Sequence, residues 1–93
     1  MIKPNTVHRT YTFFDDPGHA WLEVPIGHLA QLGIINDISR YSYVNGSMAY
    51  LEEDCDVGIF MNAARAAGID VSFREIHQDP TPIRDYPHYT PGS

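Results

Sequence analysis

Ninety-three residues carrying 12 acidic and 6 basic side chains, a formal net charge of −6, set the first limits. A chain of this length makes one domain and buries roughly 60–65% of the surface its unfolded form exposes. Its 43% apolar and 19% charged residues are those of a globular chain, not a disordered one. The acidic balance disfavours direct binding to DNA or RNA phosphates and suits a basic partner surface. A single cysteine, Cys55, excludes a disulfide within the chain. No apolar run approaches the roughly 20 residues of a membrane span, and Met1-Ile2-Lys3-Pro4-Asn5 lacks the apolar stretch of a signal peptide. The expectation is a cytoplasmic protein with no membrane contact.

Residues 6–14 are rich in Thr, Tyr, Phe and Val, with Val7, Arg9, Tyr11 and Phe13 on one face by period-2 spacing, which predicts a strand. Asp15-Asp16-Pro17-Gly18 is a turn, and residues 20–24 alternate Ala20, Leu22 and Val24 against Trp21 and Glu23, giving a first hairpin. Pro25 ends that strand and suits the first turn of a helix. Ile26, Leu29, Ala30 and Gly33 then follow at helical spacing, with Gly33 as the cap.

Asn45-Gly46 separates two strand-like runs, residues 40–44 and 47–52, and fits a two-residue hairpin turn. That turn sets Tyr43 opposite Met48 and Tyr41 opposite Tyr50, so Tyr41, Tyr43, Met48 and Tyr50 share a face. Asp54 is read as the cap of a second helix and Asp56 as a residue of its first turn. Val57, Phe60, Met61 and Ala64 form its buried stripe, and Gly68 closes it. Residues 69–76 make a last strand. The reading is an α+β fold in the order ββαββαβ, an antiparallel-rich sheet with two helices on one face. It occupies residues 1–78 and is followed by a Pro-rich extended C-terminal tail, residues 79–93.

Catalytic patterns are absent from the sequence. There is no Gly-rich phosphate loop and no nucleophile elbow. His19 and His28, near Asp15 and Asp16, have neither zinc-finger nor metalloprotease spacing, so no metal and no cofactor is assigned. The run Glu52-Glu53-Asp54-Cys55-Asp56 could hold a divalent cation, but it lacks the ligand spacing and glycine of a calcium loop. Helix capping and solvation explain it more simply. Cys55 sits near a helix N-terminus, yet its acidic neighbours oppose a thiolate. The chain therefore reads as a non-enzyme, with a small metal-dependent or acid–base enzyme acting through His19 and the acidic cluster as the least favoured alternative.

Two binding readings remain. If the helices cover the tyrosine face, those rings are core; if they cover the Val44, Ala49 and Leu51 face, Tyr41, Tyr43 and Tyr50 form a binding patch. Glu52, Glu53, Asp56, Tyr41, Tyr43 and Tyr50 are then the candidates for contact with a protein partner. Arg40, Arg84, Trp21 and His19 are the candidates for a small ligand such as a nucleotide, through ring stacking and a guanidinium on phosphate. A homodimer is compatible with either reading, though no heptad or symmetric feature requires it.

Asp16-Pro17-Gly18-His19-Ala20-Trp21-Leu22, Tyr43 through Gly46, and Ala49-Tyr50-Leu51-Glu52-Glu53-Asp54-Cys55-Asp56 resemble small reading frames of bacteriophages and plasmids, over about residues 12–83. The resemblance brings no activity or site residues with it. It implies a setting in a bacterial host or its mobile elements. Small acidic proteins there act as stoichiometric counter-defence inhibitors that occupy a host protein, or that sequester a signalling nucleotide.

Overall fold

A computed structural model describes residues 7–91. Thr6, the N-terminal residues read for a leader, and Gly92 and Ser93 of the tail lie outside the described residues. The strands are β1 (Val7–Asp15), β2 (Ala20–Pro25), β3 (Tyr43–Asn45), β4 (Met48–Glu52) and β5 (Ile69–His77), and the helices are α1 (Ile26–Gln31) and α2 (Val57–Ala66). A 3-10 turn, Pro82–Asp85, follows β5. The α+β fold and its ββαββαβ order match the sequence reading. No helix among the described residues is long and apolar enough to cross a membrane.

The five strands form one sheet in the order β3-β4-β2-β1-β5. Three neighbouring pairs are antiparallel, and β1 with β5 is parallel. Strand alternation sends Tyr11 and Phe13, Leu22 and Val24, Val44, and Ala49 and Leu51 to one face, where they meet Leu29 of α1 and Phe60 of α2. Both helices thus lie on one face, and this face holds the principal core. Leu22, Val24, Leu29, Ala49, Leu51 and Phe60 have no exposed surface. Each large side chain among them contributes about 1.5–3 kcal/mol on burial.

The helices therefore cover the Val44, Ala49 and Leu51 face, and the tyrosine face is not under them. Tyr43, Met48 and Tyr50 instead gather with Trp21, Phe14, Ile83 and Tyr86 on the opposite side of the sheet.

The C-terminal segment read as an extended tail is built into the fold. Thr81 accepts from the Ile83 amide and caps the 3-10 turn, and Ile83 is buried against Trp21 and Tyr50. The chain then follows the outer edge of β3: the Val44 amide donates to the Pro87 carbonyl at 2.8 Å, and the Tyr89 amide to the Ser42 carbonyl at 2.8 Å. Tyr89 ends in the helix-side core, 3% exposed, its hydroxyl donating to the Ile35 carbonyl. The prolines remove backbone donors but leave carbonyls free to accept, so a Pro-rich stretch pairs on an edge.

The second hairpin differs from expectation by two residues of register. Asn45 pairs with Met48, and Tyr43 faces Tyr50 rather than Met48. The loop is Gly46-Ser47, with Gly46 at φ +60° and no non-glycine residue at positive φ among those described. Glycine at the first loop position fits the type II′ alternative. The Ser47 carbonyl accepts from the first amide of α1, Ile26, at 2.8 Å, which holds this turn in place. A slip of two leaves every side chain on its face.

Residues 40–42 leave the ladder for a reason the acidic run supplies. Asp56 is 1% exposed and reaches across to the chain before β3. It accepts from the Ser39 amide at 3.0 and 3.1 Å, from the Ser39 hydroxyl at 2.7 Å and from the Ser42 hydroxyl. Ser42 Oγ in turn accepts from the Glu52 amide at 2.9 Å. Asp56, not Asp54, is the residue preceding α2, and its carboxylate, spent on Ser39 and Ser42, makes no capping hydrogen bond to the helix, which corrects the capping assignment.

Candidate functional site

On the face opposite the helices lies a cleft of about 300 Å³ lined by His19, Trp21, Tyr41, Tyr43, Glu52, Asp54, Cys55 and Arg84. Neighbouring strands supply its floor, because Trp21 on β2 is directly opposite Glu52 on β4. Trp21 is 2% exposed and meets the Tyr43 ring edge-on at 6.2 Å. Tyr43 has His88 stacked against it at 4.8 Å. The indole Nε1 of Trp21 is buried with no hydrogen-bond partner among the described residues. Leaving it so costs roughly 1–3 kcal/mol, against the apolar area the ring buries.

The 15–18 turn and the C-terminal 3-10 turn form one wall. Asp16 Oδ1 accepts from the Gly18 and His19 amides at 2.9 and 2.8 Å, closing the turn on its own side chain. Arg84 then donates to it as a fork, Nε to Oδ2 at 2.7 Å and Nη2 to Oδ1 at 3.0 Å. The Arg84 guanidinium, with help from these amides, holds the Asp16 carboxyl well below the usual carboxylate range, against the opposing effect of burial. The guanidinium also sits 5.2 Å from the centre of the Trp21 ring.

The other wall is acidic. Glu52 accepts from the Asp54 amide at 3.1 Å and the Cys55 amide at 2.8 Å, so it shapes the β4–α2 turn. Asp54 is exposed beside it. The Glu52 carboxylate, then burial and the surrounding negative charge, push the Cys55 thiol up, which keeps it protonated and poorly nucleophilic. Tyr41, 69% exposed, stands at the rim.

His19, Trp21, Tyr41, Tyr43, Glu52 and Arg84, drawn from both binding readings of the sequence, thus come together in one cleft. The other candidates do not. Tyr50 is 6% exposed and donates its hydroxyl to Glu23 at 2.9 Å, and burial above all raises its pKa. Asp56 is buried on Ser39 and Ser42, so neither residue presents itself to a partner. Glu53 is exposed but does not line the cleft. Arg40 is exposed outside it, its carbonyl 2.7 Å from the His88 ring nitrogen. Asp54 and Cys55, given to capping and a discounted thiol in the sequence, are cleft residues.

This arrangement favours a cation over an anion. The charge of Arg84 is taken up by Asp16, and both Glu52 oxygens accept from backbone amides. This leaves Asp54 exposed with no ion-pair partner among the described residues, and His19 as the only other basic side chain lining the cleft. A phosphate would meet two carboxylates and one neutralised guanidinium. An ammonium or guanidinium on an apolar stem would meet aromatic walls and an acidic end, the combination that binds such groups. Among the described residues no group of three His, Cys, Asp or Glu side chains is arranged to hold a metal ion. Compared with known proteins, the chain matches no family model, no curated protein and no solved structure.

Proposed function

We propose that this is a non-catalytic binding protein that docks on a basic surface of a protein partner, with one Arg or Lys side chain of that partner entering the cleft. The observation that carries this reading is the pairing of aromatic walls with an acidic end, the amide-held Glu52 and the exposed Asp54, beside an exposed Tyr41. Glu53 extends the acidic surface next to it. In the setting that the resemblance implies, the partner is a host protein. Occupying its basic surface inhibits it, as a counter-defence protein would.

Capture of the tagged protein from a bacterial lysate, with co-eluting proteins identified by mass spectrometry, tests this reading. A stoichiometric partner is expected whose retention falls as salt is raised, because rim charges are screened. Tyr41→Ala should weaken it about tenfold or more, as loss of a large exposed aromatic contact residue does, and Asp54→Lys should weaken it further. Retention indifferent to salt and to both substitutions would refute the cleft as the contact. A denatured protein that releases a bound nucleotide, with no protein partner captured, would favour the small-ligand reading instead.

A further inference from the structure

The sheet has two edges, treated very differently. At one, β3 is three residues long and is bridged by the C-terminal segment through Tyr43 and His88. At the other, β5 runs for nine residues and pairs with β1 alone among the described strands. Its sequence, Ile69-Asp70-Val71-Ser72-Phe73-Arg74-Glu75-Ile76-His77, has no proline and no glycine. A long, regular, uncovered edge is a template for another strand. Phe73, 43% exposed, lies along it.

We propose that β5 pairs with β5 of a second copy of this chain, antiparallel about a two-fold axis at Ser72, to make one ten-stranded sheet across a homodimer. The axis stands perpendicular to the sheet, so each rung joins residues on the same face. Only even register sums satisfy this, and the Ser72-centred register fits the side chains. It places Val71 opposite Phe73 of the partner subunit twice over, on the face where Val71 and Phe13 already pack and where Phe13 meets Phe73 edge-on at 5.7 Å. On the other face it places Asp70 opposite the partner's Arg74, again twice. Arg74 is exposed and has no ion-pair partner among the described residues, while Asp70 is 2.8 Å from the exposed His8. The same register also sets Ile69 opposite the partner's Glu75 at each end of the ladder, but centring on Phe73 instead would set Glu75 against Val71 and Asp70 against Ile76 and would lose both the apolar and the charged pairs. Self-complementarity of both charge and apolar contact points to a second copy as the occupant. The cleft lies on other elements and takes no part.

Sedimentation velocity of the full chain over a concentration series up to about 1 mM tests this. A reversible dimer is expected. Arg74→Asp puts like charges directly opposite on two rungs and should weaken the dimer at least about tenfold. Asp70→Arg combined with Arg74→Asp restores the pairs and should restore the dimer. In a Cys55→Ser background, Ser72→Cys places two thiols opposite each other at about 4.5–5.5 Å between Cα atoms, within disulfide reach. Oxidation should crosslink it, and Arg74→Asp should suppress the crosslink. A chain that stays monomeric throughout, or a dimer indifferent to Arg74→Asp and not crosslinked at residue 72, would overturn the proposal.

Discussion

Removing the Asp56 carboxylate is the sharpest test of how the β4–α2 junction is built. Asp56→Ala strands three donors: the Ser39 amide, the Ser39 hydroxyl and the Ser42 hydroxyl. Hydrogen bonds to a charged group contribute about 1.5–3 kcal/mol each, but bonds sharing one acceptor do not add. Ser39 is half-buried and regains water in part, whereas Ser42 is fully buried and does not. The expected loss is therefore about 3–4 kcal/mol, a large share of the roughly 5–14 kcal/mol that holds a domain of this size. At about 4–8 °C per kcal/mol, Tm should fall by roughly 12–32 °C. Asp56→Asn keeps one acceptor and should cost about half as much. Asp54→Asn, two residues away and exposed, should stay within about 0.5 kcal/mol of the parent. Urea and thermal unfolding followed by circular dichroism measure all three. If Asp56→Ala costs under about 1 kcal/mol, or no more than Asp54→Asn, the carboxylate does not organise residues 39–42.

Two histidines should titrate in opposite directions from the ordinary value of 6.5. His77, with Nδ1 2.5 Å from Asp15, is raised by that bond, so its contribution to stability is full below 6.5 and disappears as pH rises through its higher folded value. His28, beside the Tyr11 hydroxyl at 3.0 Å, is lowered by burial first and by Arg9 second, so stability is lost as pH falls from 6.5 through its folded value. Proton NMR titration reads both; His77 below 6.5 or His28 above it would contradict the respective environments. Truncation before Thr81 should remove about 4–6 kcal/mol by unburying Ile83 and Tyr89 and leave the protein largely unfolded in circular dichroism. A truncated chain as stable as the parent would show that this segment only rests on the sheet.

Local chemistry was well read in the sequence wherever a side chain's job was decided by its own neighbours in the chain. The α2 stripe, the first hairpin and the glycines that close the helices, Gly33 at φ +72° and Gly68 at φ +75°, follow from spacing and backbone preference alone, whereas of the α1 stripe only Leu29 is fully buried and Ala30 is exposed. What escaped was decided at long range. Asp56 resembles a first-turn helix acid by position, and only the arrival of Ser39 and Ser42, 17 and 14 residues earlier, makes it a buried acceptor. The Gly46-Ser47 loop was chosen over Asn45-Gly46 with the Ser47 carbonyl serving α1, a contact no hairpin rule contains. Four prolines in the last 15 residues imitate a disordered tail, and nothing local marks Ile83 and Tyr89 as the two that find the core. The cleft was legible as separate residues, His19, Trp21, Tyr41, Tyr43, Glu52 and Arg84, but their convergence depends on which face the helices take. The periodicities left both faces open.

The parallel pairing of β1 with β5 decides where the rest of the chain is delivered. Because the two strands run the same way, β5 ends with His77 beside Asp15, at the very end of the sheet where the 15–18 turn sits. The next residues therefore start beside Asp16, and Arg84 has only a short path to its carboxylate and to the rim of the cleft. Had β5 been antiparallel, nine residues at about 3.3 Å each would have carried the chain roughly 30 Å the other way. Ile83, Arg84 and the closing strip along β3 would then have emerged on the wrong side of the molecule. The direction of one edge strand thus determines that the cleft has its Asp16–Arg84 wall at all.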